Sequence, residues 1–320
     1  MKTLRFTLLL SLSLSFLFCK PSAETVKLME EAKDIFGVLP ETMPGSENDT
    51  PEIIELGKKL YFDTLLSKDD TVSCNSCHNL LDDGNGTDNA AVSTGIDGQK
   101  GGRSAPTVLN AGFHIAQFWD GRAEDLKAQA KGPILNPIEM GMDDAEAVIS
   151  KLKNTEDYPE LFKKAFPDEE NPLTYDNLAE AIAAFERTLI SKNRLDDFIA
   201  GSARALTSDE QAGLRLFLDT GCTNCHNGVA IGGSMYQKIG LVNEFETKDV
   251  GRFAVTNDPN DKFVFKVPSL RNITETSPYF HDGSIATVEE AIKKMAWHQL
   301  GKELKEDEVN KITAFLKALH

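Results

Sequence analysis

The sequence predicts a mainly α fold built from two copies of one unit. Three observations carry the prediction. Apolar residues recur at helical spacing in several stretches, no stretch shows a convincing alternating strand pattern, and short blocks from the first half return in the same order in the second.

Taken in chain order, Thr50 followed by Pro51 reads as an N-cap with proline at the first helical position, leading into Ile53, Leu56 and Leu60 on one face. From Tyr175 the set Leu178, Ile182, Phe185 and Leu189 recurs at helical spacing, with Gly201 as the expected stop. Thr207 and Glu210 form a capping box ahead of Leu214 and Leu218. Val309, Ile312, Leu316 and Leu319 repeat the pattern at the end of the chain. The repeat pairs GKKLYFDT (57–64) with GLRLFLDT (213–220), PTVLNA (106–111) with PSLRNI (268–273), and FWDGRAEDL (118–126) with FHDGSIATV (280–288). Between the copies, NRLDDFIAGSARALTS turns polar and small, so the expected units are residues 24–195 and 196–320.

The first 19 residues begin with Lys2 and Arg5 and continue as an apolar and serine run to Cys19. That pattern is an export signal, too short and wrongly flanked for a structural membrane span. It places the mature protein outside the cytoplasm, in the periplasm. Cleavage before Cys19 would leave a lipid anchor, and cleavage after Ala23 would leave none. Without Lys2 and Arg5 there are 32 basic against 50 acidic side chains, about −18. Phosphate backbones and anionic lipid are therefore poor partners, so no nucleic acid is expected; a small protein with a basic face suits the surface. The hydrophobic share, 41%, is ordinary for a globular chain.

Four cysteines remain after Cys19, and every one lies in a Cys-x-x-Cys-His unit: Cys74, Cys77, His78 and Cys222, Cys225, His226. Disulfides or zinc would account for the thiols but give no reason for a histidine directly behind each pair. Covalent haem attachment does. Two thiols three residues apart add to the two vinyl groups of a porphyrin, and the next residue brings its imidazole to the iron. Two haem c groups are thus expected, with His78 and His226 as axial ligands.

The opposite face of each iron decides between electron transfer and substrate activation. In the second half Met295 is the expected sixth ligand, with His298 as its rival. Superposing FWDG on FHDG places Pro133 where Met295 falls, and proline cannot ligate. The first haem is left open or served by His114, Met140 or Met142. Glu139, in the same proline-broken stretch, can take a proton from one peroxide oxygen and return it to the other. Gln129 can hydrogen-bond bound oxygen, and Trp119, counterpart of His281, can lie between the haems.

At these residues the chain resembles the bacterial di-haem cytochrome c peroxidases. GKKLYFDTLLS, CNSCHN, SAPTVLNA, FWDGRAEDLKAQAKGP, IEMGM, CTNCHN, FKVPSLRN, SPYFHDGS and MAWHQLGK follow that family's blocks in order over nearly the whole mature chain. The resemblance implies two cytochrome c-like helical domains, a peroxidatic haem on His78 and an electron-transferring haem on His226 with Met295. It implies that hydrogen peroxide is reduced with electrons from a small cytochrome c or copper protein, and that the enzyme is a homodimer. Trp119 would sit between the haems, with Gln129 and Glu139 in the peroxide pocket. Calcium at the domain interface is implied through Thr276 and Pro278, with Ser104 where the family has asparagine. Many members also carry a histidine in the loop before GQKGGR that caps the peroxidatic iron until the other haem is reduced. Here the matching residue is Ile96, so the first haem is expected to be open in the oxidised enzyme. The rivals are a di-haem electron carrier without turnover and a related enzyme that oxidises side chains of a partner protein. Met295 argues against the second, since those enzymes use a tyrosine there.

Overall fold

Ser22 opens the first helix by accepting a hydrogen bond from the Thr25 amide at 3.0 Å. From there the computed structural model, which describes residues 20–81 and 84–320, contains twelve α-helices and one short hairpin among the described residues. In chain order the helices are α1 (Ala23–Phe36), α2 (Pro51–Phe62), α3 (Cys74–Cys77), α4 (Leu126–Leu135), α5 (Ala145–Lys153), α6 (Tyr158–Ala165), α7 (Tyr175–Arg187), α8 (Arg194–Ile199), α9 (Ser208–Thr220), α10 (Phe253–Thr256), α11 (Val288–Leu300) and α12 (Glu306–Lys317). The hairpin joins β1 (Tyr236–Lys238) to β2 (Val264–Lys266), antiparallel, with Tyr236 opposite Lys266. The predicted leader, with Lys2, Arg5 and Cys19, lies outside the described residues. No helix among the described residues is long and apolar enough to cross a membrane.

The expected caps form. Thr50 accepts from the Ile53 amide at 3.3 Å with Pro51 at the first helical turn. Thr207 and Glu210 close a capping box on α9. Each removes an amide that would otherwise lack a partner.

Two cores result. In the first, Leu56, Leu60 and Tyr61 of α2 are buried against Leu178 and Ile182 of α7, with α4, α5 and α6 around them. In the second, Leu214 and Phe217 of α9 pack on Ile312, Phe315 and Leu316 of α12. The duplication is visible in how these pairs cross. Gly57 and Gly213 occupy equivalent places in the repeated blocks, and each lets a neighbouring backbone come very close. A Cβ on Gly57 would lie 1.7 Å from the Ala181 carbonyl oxygen, and one on Gly213 would lie 1.9 Å from that of Lys311.

Three expectations are corrected. The periodicity from Tyr175 does not run as one helix to Gly201: α7 stops at Arg187 and α8 begins at Arg194. Asn193 caps α8, accepting from the Leu195 amide at 3.0 Å, and the intervening backbone is held by Asn110, whose side chain accepts from the Ser191 amide at 2.9 Å. The hairpin was not legible as alternation because each strand has only three residues. Finally, the unit expected to start at residue 24 does not keep its first helix: Leu28, Ala32 and Phe36 of α1 are buried in the second core, beside α8 and α9. Their spacing of four makes one apolar stripe, and Glu31 beside it pairs with Arg215 of α9.

Candidate functional site

Each Cys-x-x-Cys-His unit opens onto a cavity. The first, about 430 Å³, is bounded by Cys74, Cys77 and His78 on one side and by Gln129, Pro133, Glu139 and Met140 on another. Ser73 and Ser76 close a capping box around the single turn of α3, which presents the two thiols. His78 Nδ1 lies 3.0 Å from the Pro106 carbonyl oxygen, to which it donates. That bond places the ring proton on Nδ1 and leaves Nε2 as a bare lone pair. Burial also lowers the His78 pKa and favours the neutral ring.

Asp125 caps α4 by accepting from the Ala128 amide, and α4 carries Gln129 and Pro133 along the cavity. The chain then folds back at Asn136, where the Glu139 amide donates to the Asn136 carbonyl at 3.0 Å. Glu139 is half-buried. Burial raises its carboxyl pKa, against the opposing pull of Arg122 and a hydrogen bond with Asn136. Arg122 is held over the Phe118 ring, its guanidinium carbon 3.4 Å from the centroid.

The loop carrying Ile96 is bound to the Glu139 loop. The Ile96 amide donates to the Glu139 carbonyl at 2.9 Å, and a Cβ on Gly95 would sit 2.1 Å from the Ile138 carbonyl oxygen. The Ile96 side chain is buried in the first core with Met140 and Met142 and is not part of the cavity wall.

The second cavity, about 240 Å³, is lined by Cys222, Cys225, His226 and Met295, with apolar Phe265, Ile292 and Leu316. Thr287 caps α11, which carries Met295 to this wall. Burial lowers the His226 pKa to about 4 and pushes the Cys222 thiol up to about 12. His226 Nδ1 is buried with no acceptor in hydrogen-bonding geometry, although the Ile231 and Pro268 carbonyls are close enough to raise its pKa slightly against burial. Pro268 is the repeat counterpart of Pro106.

Ser104, Ala105, Pro106, Thr107, Phe118 and Trp119 line both cavities. Trp119 Nε1 donates to the Ser104 carbonyl at 2.9 Å, and its ring meets His281 edge-on at 6.4 Å between centroids. The two repeat-equivalent residues thus touch across the seam. Arg103 ties the same region together, donating to Asp249 at 2.6 and 2.8 Å and to Asp120 at 2.7 Å.

Residues 51–204 match the family described as di-haem cytochrome c peroxidase, and residues 210–320 match cytochrome c. The chain is 48% identical to a cytochrome c551 peroxidase of Nitrosomonas europaea over 316 residues, covering 97% of this chain and 90% of that protein. It is 42% identical to the cytochrome c551 peroxidase of Pseudomonas aeruginosa, covering 96% of this chain and 90% of that protein. The chain belongs to the di-haem cytochrome c peroxidases. A wider relationship is visible in a methylamine utilization protein MauG of Methylorubrum extorquens, 34% identical over 88% of this chain and 82% of that one. A solved MauG-like protein associated with microbial copper homeostasis shares the fold, with a TM-score of 0.78 and 30% identity over 88% of this chain and 93% of that chain.

As a di-haem peroxidase the chain carries two haem c groups, and its cavities fit them. The four thiols are unpaired and lie at apolar walls. Among the described residues no three His, Cys, Asp or Glu side chains gather as a metal cage. A His78 whose Nδ1 is held by a backbone carbonyl, leaving Nε2 free, is what an axial ligand presents to a porphyrin.

The structure also sorts the sequence candidates. Gln129, Glu139 and Met140 reach the first cavity, Met295 the second, and Trp119 both. His114 is corrected: it lines the second cavity, not the first. Met142 is buried in the core, away from either. His298, the rival to Met295, turns aside to the Asn243 carbonyl, with its Nδ1 3.0 Å away. Thr276, Pro278 and Ser104 all line the second cavity. Nearby, the Asn89 amide nitrogen donates to the Glu275 and Ser277 carbonyls at 2.8 and 2.9 Å.

Sequence reasoning missed three residues. Glu186 of α7 lines the first cavity, its pKa pushed by burial to about 8. Arg103 bridges the halves. Lys266 is buried at the second cavity, and its signal was a lone lysine inside the apolar run FVFKV.

Proposed function

We propose that this di-haem peroxidase reduces hydrogen peroxide to water, one peroxide taking two electrons and two protons to give two waters, with electrons from a small cytochrome c or copper protein. The observation that carries the reading is the half-buried Glu139 carboxyl in the same cavity as His78, with Ile96 turned into the core. A haem held by His78 would supply the bond-breaking chemistry, and a second haem, held by His226 with Met295, would pass on the donor's electrons.

The protein residues manage protons and position. Glu139 takes the proton from the nearer peroxide oxygen on its carboxylate and delivers it to the farther one, so that water is the leaving group. Its raised pKa brings the two forms closer in energy, which eases both halves of that transfer. Gln129, on the same wall, offers an amide to the peroxide. Trp119 lines both cavities and is held by Ser104 and His281, which suits an electron path between them. Ile96 packs in the core and offers no ligand, so the oxidised enzyme is open to peroxide without prior reduction.

The leader supports export to the periplasm, with lipidation only if cleavage falls before Cys19, and the family supports a homodimer. The division into a peroxidatic unit, 24–195, and an electron-transfer unit, 196–320, is kept for the haem sites, with α1 docked on the second. Calcium at Thr276, Pro278 and Ser104 rests on the resemblance. The donors there are neutral oxygens, and no step uses the ion.

The test follows peroxide-dependent oxidation of a reduced small cytochrome c, starting from oxidised, fully haem-loaded enzyme. Turnover without a lag supports the peroxidase and the open site. A lag abolished by pre-reduction refutes the open site and points to Met140 as the closing ligand. No turnover after pre-reduction, with the second haem visibly reduced by the donor, replaces the enzyme with an electron carrier.

A further inference from the structure

Lys266 is the central puzzle of the second cavity. Its side chain is 6% exposed, it lies on β2, and it lines the cavity beside His226 and Trp119. Among the described residues no aspartate or glutamate forms an ion pair with it. Its Nζ instead meets His114 Nδ1, 3.3 Å away. An ammonium only donates, so His114 Nδ1 is the acceptor, and the imidazole proton lies on Nε2. That Nε2 is buried and meets no acceptor in the protein. Two donors, one of them a full positive charge, therefore line one apolar cavity without an anion.

A buried charge with no counter-ion is strongly unfavourable, and so is a buried donor left unmade. The cavity's own occupant brings the missing charge. A haem carries two carboxylates, and Lys266 and His114 are the unpaired donors on this wall.

We infer that Lys266, supported by His114, is the protein counter-ion of a haem carboxylate in the second cavity and sets the reduction potential of that haem. The inference rests on the reading that His226 holds a haem. A fixed cation beside the porphyrin favours the reduced, less positive state, so it raises the potential. The same residue donates its backbone N–H to the Trp119 carbonyl at 2.8 Å. The counter-ion is thereby tied to the wall between the cavities.

The test is a spectroelectrochemical titration of holoenzyme in wild type, Lys266→Met and Lys266→Arg, with the haem count measured by pyridine haemochrome. The expected result is a second-haem potential lowered in Lys266→Met by at least a tenfold change in its reduction equilibrium, ~59 mV for one electron. The first haem is unchanged, and Lys266→Arg stays near wild type. An unshifted second haem in fully loaded Lys266→Met overturns the inference. If that variant does not fold, a crystal structure of the wild-type holoenzyme decides. A haem carboxylate oxygen within about 4 Å of Lys266 Nζ supports the pair, and a lysine turned elsewhere overturns it. A wild-type count of one haem would instead remove the reading of the second site itself.

Discussion

Replacing Gly57 by alanine tests whether the crossing of α2 and α7 is as close as the structure places it. The new Cβ would lie 1.7 Å from the Ala181 carbonyl oxygen and 2.4 Å from its carbon. An ordinary C···O contact is ~3.3 Å, so the helices must part by roughly 1.6 Å. The obstacle is backbone and cannot rotate away. Overpacking of this kind costs about 3 kcal/mol at the upper end of its usual range, against about 1 kcal/mol gained by alanine over glycine in a helix. The net loss is about 2 kcal/mol, or ~4–8 °C in Tm at ~2–4 °C per kcal/mol for a domain of this size. The assay is thermal unfolding of haem-loaded protein followed by far-UV circular dichroism. Gly213→Ala, with its Cβ 1.9 Å from the Lys311 carbonyl oxygen, should behave alike. A Tm unchanged or raised in either variant would refute the close crossing and with it the structural equivalence of the two helix pairs.

Glu139→Gln keeps the shape of the side chain and removes its proton transfer, so steady-state peroxide turnover should fall ~10²–10⁴-fold while haem spectra stay unchanged. A loss below about tenfold would take Glu139 out of the proton path. Glu186 predicts a pH dependence. Its carboxyl is raised from 4.5 to about 8 by burial, opposed by Arg187, so the folded protein holds the proton more tightly than the unfolded chain. The stability it contributes is complete below pH 4.5 and is lost as pH rises towards 8. Chemical denaturation at several pH values should show that decline in wild type and a flatter profile in Glu186→Gln; parallel profiles would contradict it.

Much of the site was legible because it is local. Cys74, Cys77 and His78 span one helical turn, and their repetition at 222–226 marks the second site without any knowledge of the fold. Caps at Thr50 and Thr207 are likewise short-range, since each joins a side chain to an amide three residues away. Met295 could be expected from its distance to the repeated block, and it does reach the second cavity. The placement of His114 failed for the opposite reason. Proximity in sequence to FWDG suggested the first cavity, but the loop passes through the seam, where the Ile115 amide donates to the Gly233 carbonyl at 2.9 Å and His114 meets Lys266.

The sequence by itself determined that there are two haem-binding units, which thiols and histidines define them, that the chain is mainly helical, and that one unit lacks the methionine of the other. Only the tertiary structure decided which side chains face one another across the seam: Trp119 against His281, Arg103 between Asp120 and Asp249, Lys266 with His114, and α1 on the core of the other half. The physical reason is the range of the forces involved. Helical periodicity, capping and covalent attachment act within a few residues, whereas the seam joins segments more than a hundred residues apart, whose contacts exist only once both cores have packed.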